Sequence, residues 1–238
     1  MYLICATRGE SGKITDPAIP QDTPKGPLRE AELNASCRVL GIHPPIFLGY
    51  HDSGRLERSQ DNNPDAFMNA DDNVVEKQLL DHISHIRPQV MLTFDPHGIY
   101  GHIDHIKIHR AATAAFWSAG GVMQPAPQRL YYAVMGSERM QALQDARDTS
   151  TLSALDPKVY GVSADSYAYE ADISAFADQK EASVSAHKSQ VGPNSSFADF
   201  NRESDMWREM FMHEQLALGG LRGSFPAMPV TDLFAGLD

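Results

Sequence analysis

The sequence predicts an α/β domain built on a mostly parallel sheet with helices on both faces. Three observations predict it. Short apolar runs alternate with stretches of helical periodicity along the chain, the pattern of βαβ units. Val90 to Phe94 is a continuous apolar run, as expected of a strand covered on both sides. A length of 238 residues, 42% of them hydrophobic and 21% charged, suits one globular core spanning 1–238.

The elements follow in order. Residues 2–7 read as a short buried strand that ends in the turn-rich Arg8-Gly9-Glu10-Ser11-Gly12. The proline-rich stretch from Thr15 to Pro27 reads as a surface loop. Arg29 to Leu40 reads as a helix with Leu33, Cys37 and Leu40 on one face and Gly41 as its stop. Pro45 to Tyr50 is a second strand, closed by the turn His51-Asp52-Ser53-Gly54, and 54–73 is a long polar loop. Asn73 and Glu76 fit a capping box, and Val75, Leu79, Ile83 and Ile86 form the stripe of a helix that ends before Pro88. After the strand 90–94, His102 to Ser118 is a helix with Ile108, Ala111, Ala112, Ala115 and Phe116 inward. Arg129 to Met135 is a strand and Ile173 to Ser189 a helix. Residues 190–238 carry the weakest pattern.

Composition excludes several functions. A net charge of −11 without a basic stripe argues against nucleic acid. Two cysteines, Cys5 and Cys37, are too few for a disulfide framework and lack zinc-site spacing; buried thiols in a cytoplasmic protein are expected. No run is long and apolar enough to span a bilayer. Met206, Met210 and Met212, with Trp207 and Phe211, read as core packing or a candidate subunit interface of a homo-oligomer. Gly219-Gly220 and Gly223 are too loosely spaced for a phosphate loop.

The chemistry concentrates after Phe94. Asp95-Pro96-His97-Gly98-Ile99-Tyr100-Gly101-His102-Ile103-Asp104-His105 leads to His109, so four of ten histidines fall within thirteen residues. His102, His105 and His109 are spaced three and four apart and share one helical face. Neutral imidazole is a common zinc ligand, and Asp104 is placed to hold a histidine in the required tautomer. A catalytic zinc takes three protein ligands and leaves a position for water. Three histidines on one helix seldom converge on one ion, so ligands from another loop are expected. Asp95, His97 and His51 are candidates for these, each also readable as a surface or turn residue.

Several blocks, in order, resemble the LmbE-like (PIG-L) N-deacetylases. Tyr100-Gly101-His102-Ile103-Asp104-His105 is similar to that family's Gly-His-Pro-Asp-His signature, with Ile103 in place of the proline. Thr7 to Gly12 resembles the turn after its second strand, and Arg29-Glu30-Ala31-Glu32-Leu33 its Arg-x-x-Glu-Leu helix start. Asp52-Ser53-Gly54 resembles its substrate loop, and Ala186-His187-Lys188-Ser189-Gln190 its late Ala-His-x-x-Gln helix. The resemblance implies a Rossmann-like fold and a zinc-dependent hydrolase that removes an acetyl group from an N-acetylglucosaminyl small molecule or a related amide conjugate. It implies His105 as a zinc ligand and His102, oriented by Asp104, as proton donor or stabiliser of the tetrahedral intermediate. Tyr100 would polarise the amide carbonyl; Arg29 and Asp52 would hold sugar hydroxyls, with His187 lining the site.

One signature of that family, Ala-His-Pro-Asp-Asp-Glu, is not a string in this sequence. In the family it supplies two zinc ligands and the carboxylate base. The expectation is therefore a fold whose first strand and helix lie outside the 238 residues, with zinc held weakly or not at all. The alternative is a sugar-binding or interaction relative that keeps Arg29, Asp52 and the fold without the metal.

Overall fold

The structure, a computed structural model, describes residues 1–145, 154–192, 195 and 212–237. Its elements are β1 (Ile4–Cys5), α1 (Lys25–Leu40), β2 (Ile46–Phe47), α2 (Asp72–Ile86), β3 (Val90–Phe94), α3 (Gly98–Gly101), α4 (Ile103–Val122), β4 (Arg129–Ala133), α5 (Ser137–Asp145), α6 (Pro157–Tyr160), β5 (Tyr167–Asp172), α7 (Ala177–Ser185) and β6 (His213–Leu221). The chain divides into two compact units. One comprises Met1–Ala70 with Ile173–Met212, the other Asp71–Asp172 with His213–Asp238.

In the first unit β1 and β2 pair in parallel, Ile4 beside Ile46 and Cys5 beside Phe47. Only two residues of each qualify as strand, yet the bonding runs further, from His43 N–H to Met1 O and from Tyr50 N–H to Ala6 O. Burial pushes the Cys5 thiol up to about 11, with Cys37 adding to the shift, so it stays protonated and unreactive at neutral pH. Helix α1 starts at Lys25, four residues before the expected Arg29. Pro27 lies in its first turn, where its missing N–H costs no helical bond. Gly41 ends α1 as expected, at φ 68°, donating to Arg38 O and Cys37 O. The buried face differs from the predicted apolar stripe: Leu40 is exposed, and Glu32, Ser36 and Cys37 are buried. The reason is α7, whose Ser183 hydroxyl meets that of Ser36 at 2.6 Å. Helix α7 is shorter than the expected 173–189; its last carbonyls are met by turns through Ala186 to Gln190.

The loop 54–73 is more ordered than its polar sequence suggests. Residue His51 bridges to Ala66, and Phe67 beside it is fully buried.

In the second unit the sheet order is β3-β4-β6-β5. The β3–β4 pair is parallel, as predicted, in register from Val90–Arg129 to Phe94–Ala133. Strand β6 is antiparallel to both β4 and β5, so the late part of the chain mixes the sheet. Coverage of β3 on both faces is not complete, since Leu92 is 51% exposed. Strand β4 ends at Ala133, two residues short of the expected Met135.

Helices α2 and α4 supply the cover. The cap of α2 is Asp71, whose carboxylate accepts from the N–H groups of Asn73 and Val74, so the Asn73–Glu76 capping box does not form. Glu76 instead accepts the Ser118 hydroxyl from α4. Helix α4 buries Ala111, Ala112, Ala115, Phe116 and Ala119, close to the expected face, and runs on to Val122. Gly219 and Gly220 lie within β6. A Cβ on Gly219 would stand 2.4 Å from the Tyr132 ring, and one on Gly220 2.6 Å from that of Phe116, so these glycines admit aromatic rings. Among the described residues no helix is long and apolar enough to cross a membrane. The methionine stretch 206–211 lies outside the described residues.

Candidate active site

The histidine segment leaves the carboxyl end of β3, where loops of an open α/β sheet carry ligand sites. Asp95 is buried, and its carboxylate accepts the Ile99 N–H at 2.7 Å. That bond holds Ile99 at φ 63°, a conformation β-branched residues rarely adopt. Such positions persist where the surroundings over-determine them, and they cluster at functional sites. Gly98 (φ 59°) and Gly101 (φ 82°) flank the turn, and a Cβ on Gly98 would stand 2.6 Å from that of His105.

This close approach lets the Gly98 carbonyl meet His105 Nδ1 at 3.1 Å. A carbonyl only accepts, so Nδ1 carries the proton and the neutral ring has its lone pair on Nε2. That is the form in which imidazole binds a metal. The ring stacks on Phe94, centroids 4.0 Å apart. His102 is set the opposite way. As the N-cap of α4 its Nδ1 accepts the Asp104 N–H at 3.2 Å, so in the neutral ring the proton sits on Nε2 and that atom donates. The bond runs through the main chain of Asp104, whose side chain is buried. Tyr100 stands edge-on to both rings, 5.0 Å from His105 and 6.1 Å from His102. Gly98→Ala should lower stability by at least about 1 kcal/mol through the left-handed backbone alone, and weaken metal binding by pushing His105 aside. Thermal melts and zinc titration measure both; an unchanged zinc affinity would show that the turn re-forms around the methyl group.

His109 is buried one helical turn on, yet its Nδ1 meets the Phe94 carbonyl at 2.7 Å and its ring abuts Tyr132. It ties α4 to β3. His97 is exposed and packs against Tyr160, and His51 Nδ1 meets the Asp52 carbonyl. Asp95, His97 and His51 are thus turn and surface groups.

In the first unit, Arg29 reaches from α1 to the loop 8–13, donating to Gly9 O at 2.7 Å and Lys13 O at 3.0 Å. A Cβ on Gly12 would lie 2.2 Å from Nη2, so this loop must be free of side chains there. Burial lowers the Arg29 pKa, opposed by the charges of Asp52 and Glu32. Asp52 is 7% exposed. Its carboxylate accepts the Gly54 N–H, its own N–H donates to Glu10, and its carbonyl accepts the Ser11 hydroxyl. His187 is half-buried. Burial lowers its pKa against the pull of Glu32, and Arg29 lowers it further, which keeps the imidazole neutral at neutral pH. Its Nδ1 lies 3.4 Å from the Gln190 side-chain nitrogen.

The predicted residues thus fall in two groups. Tyr100, His102, Asp104 and His105 share one turn, and Arg29, Asp52 and His187 belong to the first unit. Glu32, the glutamate of the Arg-x-x-Glu-Leu block, was given no role from the sequence. Its signal was available: three residues after Arg29 on a helix, it shares the face of Arg29.

The GlcNAc-PI de-N-acetylase (PIG-L) family profile matches residues 1–116. A 1D-myo-inositol 2-acetamido-2-deoxy-alpha-D-glucopyranoside deacetylase from Acidothermus cellulolyticus is 34% identical over 99% of this chain and 85% of its own length. The chain belongs to the PIG-L family. The enzyme of the same name from Streptomyces griseus is 32% identical over 99% of this chain and 79% of its own. A conserved protein from Thermus thermophilus shares the fold, with a TM-score of 0.54 and 23% identity over 95% of this chain and 84% of that one. For this PIG-L chain the α/β class with its parallel β1–β2 and β3–β4 pairs is the family's fold. By its tautomer, with the lone pair on Nε2, His105 fits the role of a metal ligand.

Proposed function

We propose that this chain is an N-deacetylase of an N-acetylglucosaminyl small molecule, with a polar glycoside such as the inositol conjugate named for its relatives as the substrate class. The observation that carries this reading is the opposed setting of two neighbouring imidazoles, one presenting a lone pair and the other an N–H. Amide hydrolysis needs both kinds of group.

When bound, a divalent metal, here zinc, supplies a water of lowered pKa and positive charge beside the developing oxyanion. His105 would hold it through Nε2. In the reaction, water oxygen bonds to the acetyl carbon and the C–N bond breaks. One proton of the water ends on the departing amine, while His102 Nε2–H donates a hydrogen bond to the tetrahedral oxygen. The Asp104 N–H keeps His102 turned for this. Tyr100, fixed by the Ile99 turn, lends its hydroxyl to the amide carbonyl. Arg29, Asp52 and His187 bind the sugar, and the neutral His187 adds no charge against Arg29.

The test is acetate release from the inositol N-acetylglucosaminide at saturating zinc, with equimolar free amine appearing. No release from any N-acetylglucosaminyl glycoside would end this reading. We further propose that the zinc is held weakly, because a catalytic zinc takes three protein ligands and His105 is the one assigned. After zinc loading and desalting, elemental mass spectrometry should find well under one zinc per chain. A full, tightly held equivalent would mean that these residues complete the ligand set.

A further inference from the structure

Glu32 is 7% exposed, an uncommon place for a carboxylate, which is costly to bury without partners. Both its oxygens are used: Oε1 accepts the Ser189 N–H and Oε2 the Ser189 hydroxyl, each at 2.7 Å. Ser189 is itself fully buried, and its carbonyl accepts from Thr15 N–H at 2.8 Å and from the Thr15 hydroxyl at 3.1 Å. The Thr15 oxygen in turn accepts the Gly192 N–H at 3.1 Å, and a Cβ on Gly192 would lie 2.4 Å from the Asp16 nitrogen. The segment that follows α7 is therefore fastened to α1 and to the loop before it, two residues beyond His187.

Fastening alone does not require a charge. The charge sits near two other groups: the Arg29 guanidinium, one helical turn back on α1, and the His187 imidazole, two residues before the Ser189 that Glu32 holds. It opposes the lowering of both their pKa values by burial. Asp52 and Glu10 also face Arg29, whereas Glu32 is the carboxylate common to both groups. We propose that Glu32 is a positioning residue for the amino sugar: its buried charge holds Arg29 and His187 in one sugar-binding arrangement without itself touching the substrate. This rests on the reading of Arg29 and His187 as sugar-binding groups.

The experiment is calorimetric binding of methyl 2-acetamido-2-deoxy-α-D-glucopyranoside to the full chain, for wild type, Glu32→Gln and Ser189→Ala, each checked by a thermal melt. Ser189→Ala keeps the backbone N–H bond to Oε1 and the charge of Glu32, and removes one hydroxyl. Glu32→Gln keeps the shape and removes the charge. The expected result is a loss of about tenfold or more in affinity for Glu32→Gln, the scale of one charge-assisted contact, while Ser189→Ala melts earlier and binds within about twofold of wild type. Binding by Glu32→Gln within twofold of wild type overturns the proposal. So does an equal loss in both variants, which would make Glu32 a structural clamp only. A wild-type chain that neither binds the glycoside nor releases acetate overturns the functional reading and this proposal with it.

Discussion

His105→Ala is expected to abolish zinc binding, while His102→Ala leaves it intact and removes activity. The two rings lie 5.2 Å apart on one turn, so proximity alone predicts similar effects. Their partners separate them. Gly98 O can only accept, which commits the His105 proton to Nδ1; the Asp104 N–H can only donate, which commits the His102 lone pair to Nδ1. A ring with its proton on Nε2 cannot also offer a lone pair there. Loss of groups that merely orient a metal ligand costs about 10–100-fold in affinity, so loss of the ligand itself should cost at least about 100-fold. Loss of a hydrogen-bond donor to the oxyanion costs about 10²–10³-fold in kcat. Zinc affinity by competition with a chelating dye and kcat at saturating zinc measure the two effects separately. Equal loss of zinc in both variants would sink this assignment.

Where local rules act, the sequence was legible. The run Val90 to Phe94 became β3 without a shift, and Gly41 became the left-handed cap of α1. Gly98 and Gly101 are residues that tolerate the left-handed backbone the turn around Tyr100 requires, and both adopt it. What local rules could not reveal was which partner each imidazole would find. His102 became an N-cap and His109 a tie to the Phe94 carbonyl, although spacing alone placed them on one face with His105. The polar face of α1 was illegible for a related reason: Glu32 and Ser36 are buried because Ser183 and Ser189 arrive from the far end of the sequence to bond them. Strand β6 was missed because its Glu, Ala and Gly content has low strand propensity. It is a strand because β4 and β5 pair with it on both sides, and because its two glycines make room for Tyr132 and Phe116.

Arg129→Met is expected to destabilise the second unit by about 2–4 kcal/mol, from the loss of two charge-assisted hydrogen bonds to carbonyls. Arg129 opens β4 with its side chain fully buried. Its guanidinium lies over the Phe225 ring, centroid 4.7 Å away, and donates to the carbonyls of Leu233 and Ala235. The Tyr131 hydroxyl adds a bond of 3.3 Å to Leu233 O, and Val230 exchanges backbone bonds with Ala168 and Glu170 of β5. These contacts bind the last residues of the chain to the sheet that positions the histidine turn. Methionine fills similar volume but donates nothing, so the Ala235 carbonyl would lose its guanidinium partner and the Leu233 carbonyl would keep only the Tyr131 hydroxyl. Lysine would keep a charge and offer a single ammonium where a planar fork now serves two carbonyls, so Arg129→Lys should fall between. For a chain of this length the melting temperature should drop by about 5–15 °C. Limited proteolysis should then cut within 225–237 faster than in wild type. A melt within 2 °C of wild type, with the same cleavage pattern, would show that this segment is held without Arg129 and that the start of β4 gains nothing from it.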